Sequence, residues 1–548
     1  MSRSGTPRNA IDPITLEVIR NALAAVADEM NANLVRTAYS PNIKERKDCS
    51  SAIFDASGQM VAQAESIPVH LGAMPFSVAS AIAHTENFEP GDVMVLNDPF
   101  AGGAHLPDVT FIAPVFVDTV LTGFVANRAH HADIGGKEPG SLAGDATEIY
   151  QEGVRIPPVK LWKAGALDED LLALLLANVR TPEERWGDLR AQHASCVVGI
   201  QRMESLCKRI GSVERLGAGM AAVLDYSEKR MRHRLAELPD GVACFEDQLD
   251  DDGVNGQPIR IRACVEIRGD RVLVDFAGTA PQVRGPINAV WAVTTSATYY
   301  AVRAMTDPEI PPNTGCYRPI EINAPEASIV NASLPAPVVG GNLETSQRIV
   351  DVILGAWGRI LPEFAVAASQ GTMNNLAIGG VDAATGRPFS IYETNAGGCG
   401  ARPGKDGIDG MHSHMTNTLN TPVESLETHY PLRVKCYELR AGSGGRGRFR
   451  GGLGVRRDIT CLTERARASL LTERRVSAPY GIAGGEPGAV GENVLLRDGQ
   501  ESPLPAKGTI TILEGDTISL RTPGGGGLGV PTERAAHAIE RDDREERT

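Results

Sequence analysis

The sequence predicts an α+β protein of more than one domain: a mixed α/β chain with an N-terminal lobe joined to a β-rich, glycine-rich C-terminal lobe. Three observations carry this. The chain has 548 residues, more than one hydrophobic core ordinarily holds. Strand and helix periodicities alternate at first and give way to a long helical stretch from about 168 to 238. Beyond Pro239-Asp-Gly241 short alternating runs between glycine turns take over, which places the main boundary near Leu238. The expected units are 1–238, 239–531 and a charged tail, 532–548.

Asp12-Pro13 opens the first helix, with aspartate as cap and proline at the first helical position. Ile19, Leu23, Val26, Met30 and Leu34 follow at steps of three or four and carry it to about Ala38. Asp48 stands at the start of the next run, a strand that turns at Asp55-Ala-Ser-Gly58 into a second. The stretch 70–84 reads as loop then helix, and 92–99 as strand then loop. Val109–Val117 and Leu121–Arg128 form a hairpin about a turn near Thr119. Leu171-Leu-Ala-Leu-Leu-Leu176 reads as core. Arg271–Phe276 completes a hairpin with 259–267, 344–376 is expected to be helical, and 395–431 to be a long polar loop region. Strands with glycine turns fill 437–521, and the tail beyond 531 reads as a surface helix that frays.

Composition narrows the function classes. A net charge of −14 argues against broad attraction to nucleic acid or anionic membranes. No apolar run approaches the ~20 residues needed to span a bilayer, and the first residues lack the apolar core of a secretory signal, so a cytoplasmic location is expected. The nine cysteines are scattered and never spaced Cys-x-x-Cys, which suits a reducing compartment and disfavours a thiolate metal site. Any metal should be held by nitrogen and oxygen.

Such ligands occur in two short pieces, His105-x-x-Asp108 and His130-His131-Ala-Asp133. A turn centred near Thr119 pairs residues whose numbers sum to about 238 or 239. Asp108 then lies opposite His130 or His131, and a strand end carrying histidine and aspartate beside the Gly102-Gly103 loop converges on one ion. One such residue alone would be a turn aspartate or a solvated histidine; three or four convergent ones point to a metal. Successive strand residues face opposite ways, so only one of His130 and His131 is a ligand. On these grounds alone Asp48 reads better as a solvated charge or salt-bridge partner. Imidazole with carboxylate suits zinc, manganese or iron.

Other motifs are weaker. Gly442–Gly454 is glycine-rich and basic, and tight turns account for it better than a phosphate cradle; no Walker motif and no Gly-x-Ser-x-Gly elbow appears. Cys399 reads as a small buried residue. His412, His414, Glu427 and His429 could form a second site, though a polar loop packed on a partner explains them better. Gly340–Arg348 opens a helix whose free N–H groups suit an anion, or one simply capped by Asn342.

Several blocks together carry a resemblance: Asp12-Pro-Ile-Thr-Leu-Glu-Val, Glu45-Arg-Lys-Asp48-Cys-Ser, Ile67-Pro-Val-His-Leu-Gly-Ala-Met, Asn97 to Asp108, Arg128-Ala-His-His-Ala-Asp-Ile-Gly-Gly136, Gly340 to Arg348, His412-Ser-His-Met-Thr-Asn-Thr and Thr522-Pro-Gly-Gly-Gly-Gly-Leu-Gly529. In this order they resemble the hydantoinase B/5-oxoprolinase family over nearly the whole chain. Its relatives include caprolactamase and the acetone and acetophenone carboxylases. The resemblance implies the metal-binding B-type subunit of an ATP-dependent hydrolase of cyclic amides (a hydantoin, 5-oxoproline or a lactam). A hydantoinase A-like ATPase partner holds ATP and magnesium and activates the substrate, in a heterotetramer. It implies Asp48, His105, Asp108 and His130 as ligands of a divalent zinc or manganese ion, with His131 and Asp133 as catalytic groups beside it. A ketone carboxylase subunit is the alternative within the family, and a non-catalytic scaffold for the ATPase the alternative outside it.

Overall fold

A long hairpin forms the centre of a seven-stranded antiparallel sheet in the computed structural model, which describes residues 11–64, 66–85 and 87–547. Strands Asp108–Val117 and Val120–His130 meet at Asp118-Thr119, where Asp118 adopts the left-handed conformation (φ 55°) favoured at the first position of a two-residue turn. Asp108 pairs with His130, as the sum rule predicts. Across the sheet the order is Met60–Gln63, Cys49–Asp55, Val120–His130, Asp108–Val117, Val93–Leu96, Val159–Lys163, Ala166–Leu167.

Both faces of the hairpin are covered. Asn127 and His131 point to helix Pro182–Ile210, whose Gln192 meets both, whereas Arg128 points to helix Pro68–His84 and bonds Ser77 Oγ at 2.8 Å. The period of two thus sorts neighbouring residues onto different helices. Helix Pro13–Thr37 starts as expected: the Asp12 carboxylate accepts from the Ile14 and Thr15 amides, and Ile19, Leu23, Val26, Met30 and Leu34 are buried.

Three smaller sheets hold the other strands among the described residues. In the first, Arg271–Asp275 pairs antiparallel with Ile259–Arg268 and parallel with Ile320–Asn323. The other two, built on Asn375–Val381 and on Val455–Cys461, enclose a separate apolar cluster from Leu376 to Leu520. The main cluster runs from Ile19 to Leu471. No helix among the described residues is long and apolar enough to cross a membrane.

Four expectations need correction. Of Leu171–Leu176 only Leu175 is buried and Leu174 is 62% exposed, because helix Glu169–Leu176 lies on the surface and covers one side only. The helix expected over 344–376 ends at Ile360; Leu361 precedes a proline, which disfavours its helical conformation, and the chain goes on to strand Asn375–Val381. Cys244 and Cys264 form a disulfide: they face each other on paired strands, a partnership set by register and invisible in their spacing. The tail forms the expected helix, Ala536–Arg544, but it is tied to the body: Arg534 and Arg541 both reach Asp406 (2.8 and 2.7 Å), and Arg547 pairs with Asp409.

Glycine dominates one region for a geometric reason. Gly524–Gly527 threads among residues 398–407, 443–452 and 480–488, and the contacts are backbone hydrogen bonds: Gly445 N–H to Gly525 O (2.9 Å), Gly525 N–H to Gly452 O (2.9 Å), Gly527 N–H to Glu486 O (2.9 Å). A Cβ on Gly525 would lie 2.0 Å from the Cys399 carbonyl oxygen, which is main chain and cannot step aside. The glycine-rich segment 442–454 is therefore packing, not an anion cradle. Gly525→Ala is expected to destabilise the chain by at least about 2 kcal/mol, read as a lower urea midpoint; an unchanged midpoint would show that the bundle tolerates side chains.

Candidate metal centre

Three adjacent strands end side by side at one edge of the large sheet. Asp108 begins one, His130 ends the next, and Asp48 immediately precedes the third, whose Cys49 pairs with Ala129. The His130 amide donates to Asp48 O at 3.0 Å, which fixes the alignment. The fourth group, His105, arrives from the loop after Pro99–Ala101. Asn97 pins that loop by donating to Leu106 O at 2.7 Å, and Gly102 (φ 94°) lets it press on the Phe76 carbonyl, 2.4 Å from where a Cβ would stand.

Ligand atoms of His105, Asp108 and His130 all fall within 4.8 Å of one another, and the described residues hold no other such group of histidine, cysteine and carboxylate. His105 Nε2 is 3.1 Å from Asp108 Oδ1. Asp48 lies at the edge of the cluster, 3.9 Å from His70 Nε2. His131 and Asp133 go elsewhere. His131 faces the other side of the sheet, with Nε2 2.9 Å from Gln192 Oε1, and Asp133 is paired with Arg180 at 2.8 Å.

Sequence reasoning missed four participants. His70, in the first turn of helix Pro68–His84, puts Nε2 3.2 Å from Asp108 Oδ1; its only signal was its place in the block Ile67–Met74. Arg46 is fully buried and joins three segments, bonding Asn42 Oδ1 in its own turn, Tyr392 O (2.8 Å) and Thr394 Oγ1 (2.7 Å) in the second, and Leu419 O (3.3 Å) in the third. Asn42, its oxygen thus engaged, turns its amide to His130 O at 2.6 Å. Tyr392 stacks on the His130 ring at 4.4 Å and donates its hydroxyl to Asn375, which in turn bonds Glu344 at 2.6 Å. Glu344 belongs to a π-turn, Gly341–Thr345, where the sequence promised an ordinary helix start; Asn342 caps nothing.

Electrostatics follow from burial. Burial opposes charge on Asp108, but His105 and His70 outweigh it and hold the carboxyl well below the usual range. Burial drives His130 well below the ordinary imidazole value, helped by the neighbouring His105. Asp48 is pushed up by burial, against the pull of Arg46. Burial also lifts Glu344 to about 8.

The residues fit a divalent cation. Both ring nitrogens of His105 and both carboxylate oxygens of Asp108 are buried without a directed hydrogen bond, although they lie close together. Buried polar atoms are rarely left so, and lone pairs converging on one point are what a cation takes. Two imidazoles and a carboxylate, with a second carboxylate adjacent, are ligands for zinc or manganese. The remaining histidines form no second centre: His414 Nε2 meets Asp351 Oδ1 at 3.0 Å, and His429 bonds back within its own helix.

Comparison with known proteins identifies the family and the fold. A family model described as hydantoinase B/oxoprolinase matches residues 12–531. The chain is 39% identical to the 5-oxoprolinase of Dictyostelium discoideum over 96% of its own length but 41% of that protein's. It is 34% identical to a putative D-/L-hydantoinase B-type subunit of Pseudomonas sp., covering 99% of this chain and 94% of the relative. The chain thus spans about two fifths of the 5-oxoprolinase and nearly all of the hydantoinase subunit. An ATP-dependent caprolactamase from Pseudomonas jessenii superposes with a TM-score of 0.90 at 31% identity, over 98% of this chain and 95% of that one. An acetone carboxylase gives the same TM-score at 19% identity, over 98% and 78%, a likeness of fold alone. The chain belongs to the hydantoinase B/oxoprolinase family.

Proposed function

We propose that this chain is the metal-holding subunit of an ATP-dependent hydrolase of cyclic amides, acting on a substrate activated by a hydantoinase A-like ATPase partner. The observation that carries it is the buried convergence of His105, Asp108 and His130 with unpartnered ligand atoms. Support comes also from the relatives, a 5-oxoprolinase, a hydantoinase B-type subunit and an ATP-dependent caprolactamase. That one of these relatives is itself a subunit fits a chain that works with a companion.

The chemistry explains the division of labour. An amide carbonyl is a poor electrophile with a poor leaving group, so activation by ATP on the partner supplies the driving force. A divalent metal, when bound, supplies Lewis acidity and a water of lowered pKa. His105, Asp108 and His130 would hold it, with Asp48 as the fourth ligand. The rest of the shell belongs to this chain's own residues. Arg46 and Asn42 hold His130 and the turn before Asp48 in place; His70 lies against Asp108; Tyr392 fixes the His130 ring by stacking. Burial keeps His130 neutral, and His105 and His70 keep Asp108 ionised against its burial, the states in which both have lone pairs to give. His131 and Asp133 act here by bracing the adjacent helix and loop through Gln192 and Arg180. A pure scaffold has no use for unpaired ligand atoms in its interior, which favours the enzyme reading.

Elemental analysis of the purified chain tests the site: about one equivalent of zinc or manganese per chain is expected, lost in both His105→Ala and His130→Ala while far-ultraviolet circular dichroism is unchanged. Metal-free wild type under retaining conditions would sink the reading. With the ATPase partner present, the wild type should release phosphate in proportion to ring-opened product and retain no label from bicarbonate. His105→Ala should stop product while ATP turnover persists uncoupled; retained carbonate label in the product would instead establish a carboxylase.

A further inference from the structure

The candidate centre borders a cavity of only about 20 Å³, walled in part by Asp48, His70, His130, Asn342 and Met373. That is room for a single water. A cyclic amide ring is several times larger, so a centre that acts on one must open somewhere. On the far side of the segment Met411–Thr418 lies a cleft of about 800 Å³, the size of an ordinary small-molecule site, with Tyr300, Ala304, Leu354 and Cys399 among its lining. The partition is made by 411–418 and, beside it, by 67–70, where Pro68 lines the cleft and Ile67, Val69 and His70 line the small cavity. Met415, Thr416 and Thr418 face the small cavity; Met411, Ser413 and Asn417 face the cleft; Thr416 lines both.

The partition is tied firmly at its ends, by Met411 N–H to Gly397 O (2.8 Å) and Leu419 N–H to Arg46 O (3.0 Å), and by longer bonds in its middle, Val69 N–H to Met415 O (3.4 Å) and Asn417 Nδ2 to Ser66 O (3.3 Å). Thr416 Oγ1 is 3.4 Å from Thr418 Oγ1, which is 2.9 Å from Thr394 Oγ1, which accepts from Arg46 at 2.7 Å. On the cleft side His414 meets Asp351, and the Ser413 carbonyl accepts from Gln347 at 3.1 Å. Against these ties stand signs of an arrangement that is not fully satisfied. His414 is a non-glycine residue at φ 54°, and both ring nitrogens of His412 and the hydroxyl of Ser413 are buried without partners. Strain and unpaired polar groups gathered in one short segment mark it as the part that yields.

We propose that the 800 Å³ cleft is the antechamber from which a cyclic amide substrate reaches the buried cluster, and that 411–418 is the gate, latched by the Thr416–Thr418–Thr394 hydroxyl chain. This rests on reading the cluster as the reaction centre, but its test needs neither metal nor substrate. A thiol placed in the small cavity by Met373→Cys is alkylated only when the cavity opens. Iodoacetamide is applied to the metal-free full chain, and peptide mass spectrometry follows each cysteine separately. Cys196, fully buried in helix Pro182–Ile210, reports global unfolding in the same sample.

The thiol at 373 should react at least about tenfold faster than Cys196, as local opening requires. Adding Thr418→Val, which removes the middle of the latch, should accelerate it by a further factor of about ten or more. Adding Ala304→Trp, which narrows the cleft, should slow it several-fold, with Cys196 unaffected in every case. A rate at 373 that ignores either added substitution, or that merely follows Cys196, overturns the proposal. Because the labelling is read without metal, a chain that bound none would still show whether the gate opens, and loss of the gate would leave the metal analysis standing.

Discussion

Everything at the centre depends on one register. The antiparallel pairing that sets Asp108 against His130, continued by Cys49 against Ala129, brings three strand ends level and turns three side chains to the same face. A slip of one residue would exchange His130 for His131 and present Gln192's partner in its place. The register is secured on both sides of the hairpin, by Arg128 reaching Thr110 and Ser77 on one face and by Asn127 reaching Gln192 on the other. Asp48, Asp108 and His130 therefore need no local scaffold of their own, because the seven-stranded sheet aims them, and only His105 depends on a pinned loop.

Placing several ionisable groups in so dry a place is expensive, and the surrounding residues show how the cost is met. Arg46 is wholly buried yet bonded to Asn42, Tyr392 and Thr394, with Asp48 close by, so its charge is shared among segments that are far apart in sequence. Taking such a cation out of its setting leaves its partners uncompensated, a loss of about 3–5 kcal/mol for buried pairs in general. Asp108 is the opposite case: its neighbours are histidines that approach it without directed hydrogen bonds. Arg46 is built to be complete, and Asp108 to be completed.

Much of this was legible in the chain. The hairpin and its pairing sum followed from alternation and a turn, because register is a counting rule once the turn is known. His105, Asp108 and the choice of His130 came from short spacings and from family resemblance. The rest was hidden for identifiable reasons. His70 sits in a helix start that resembles any other, and its approach to Asp108 is a tertiary contact. Arg46 reads as one more charge in Lys44-Glu-Arg-Lys47, and only folding shows that it alone is buried. Leu171–Leu176 misled in the other direction: apolar composition says what a segment would bury, not what is available to cover it. The π-turn at 341–345 and the pairing of Cys244 with Cys264 carry no local code at all.

The glycine bundle gives the C-terminal part a different thermodynamic character. Where most interiors are held by apolar side chains leaving water, Gly524–Gly527 and its neighbours are held by main-chain hydrogen bonds between segments with nothing to bury but peptide groups. Exposing apolar surface raises the heat capacity, whereas exposing peptide groups lowers it. This region therefore contributes less to the heat-capacity change of unfolding, the quantity scanning calorimetry reads, than its residue count suggests. Hydrophobic stabilisation weakens on cooling, and this bundle leans on it less than an oil-like core does.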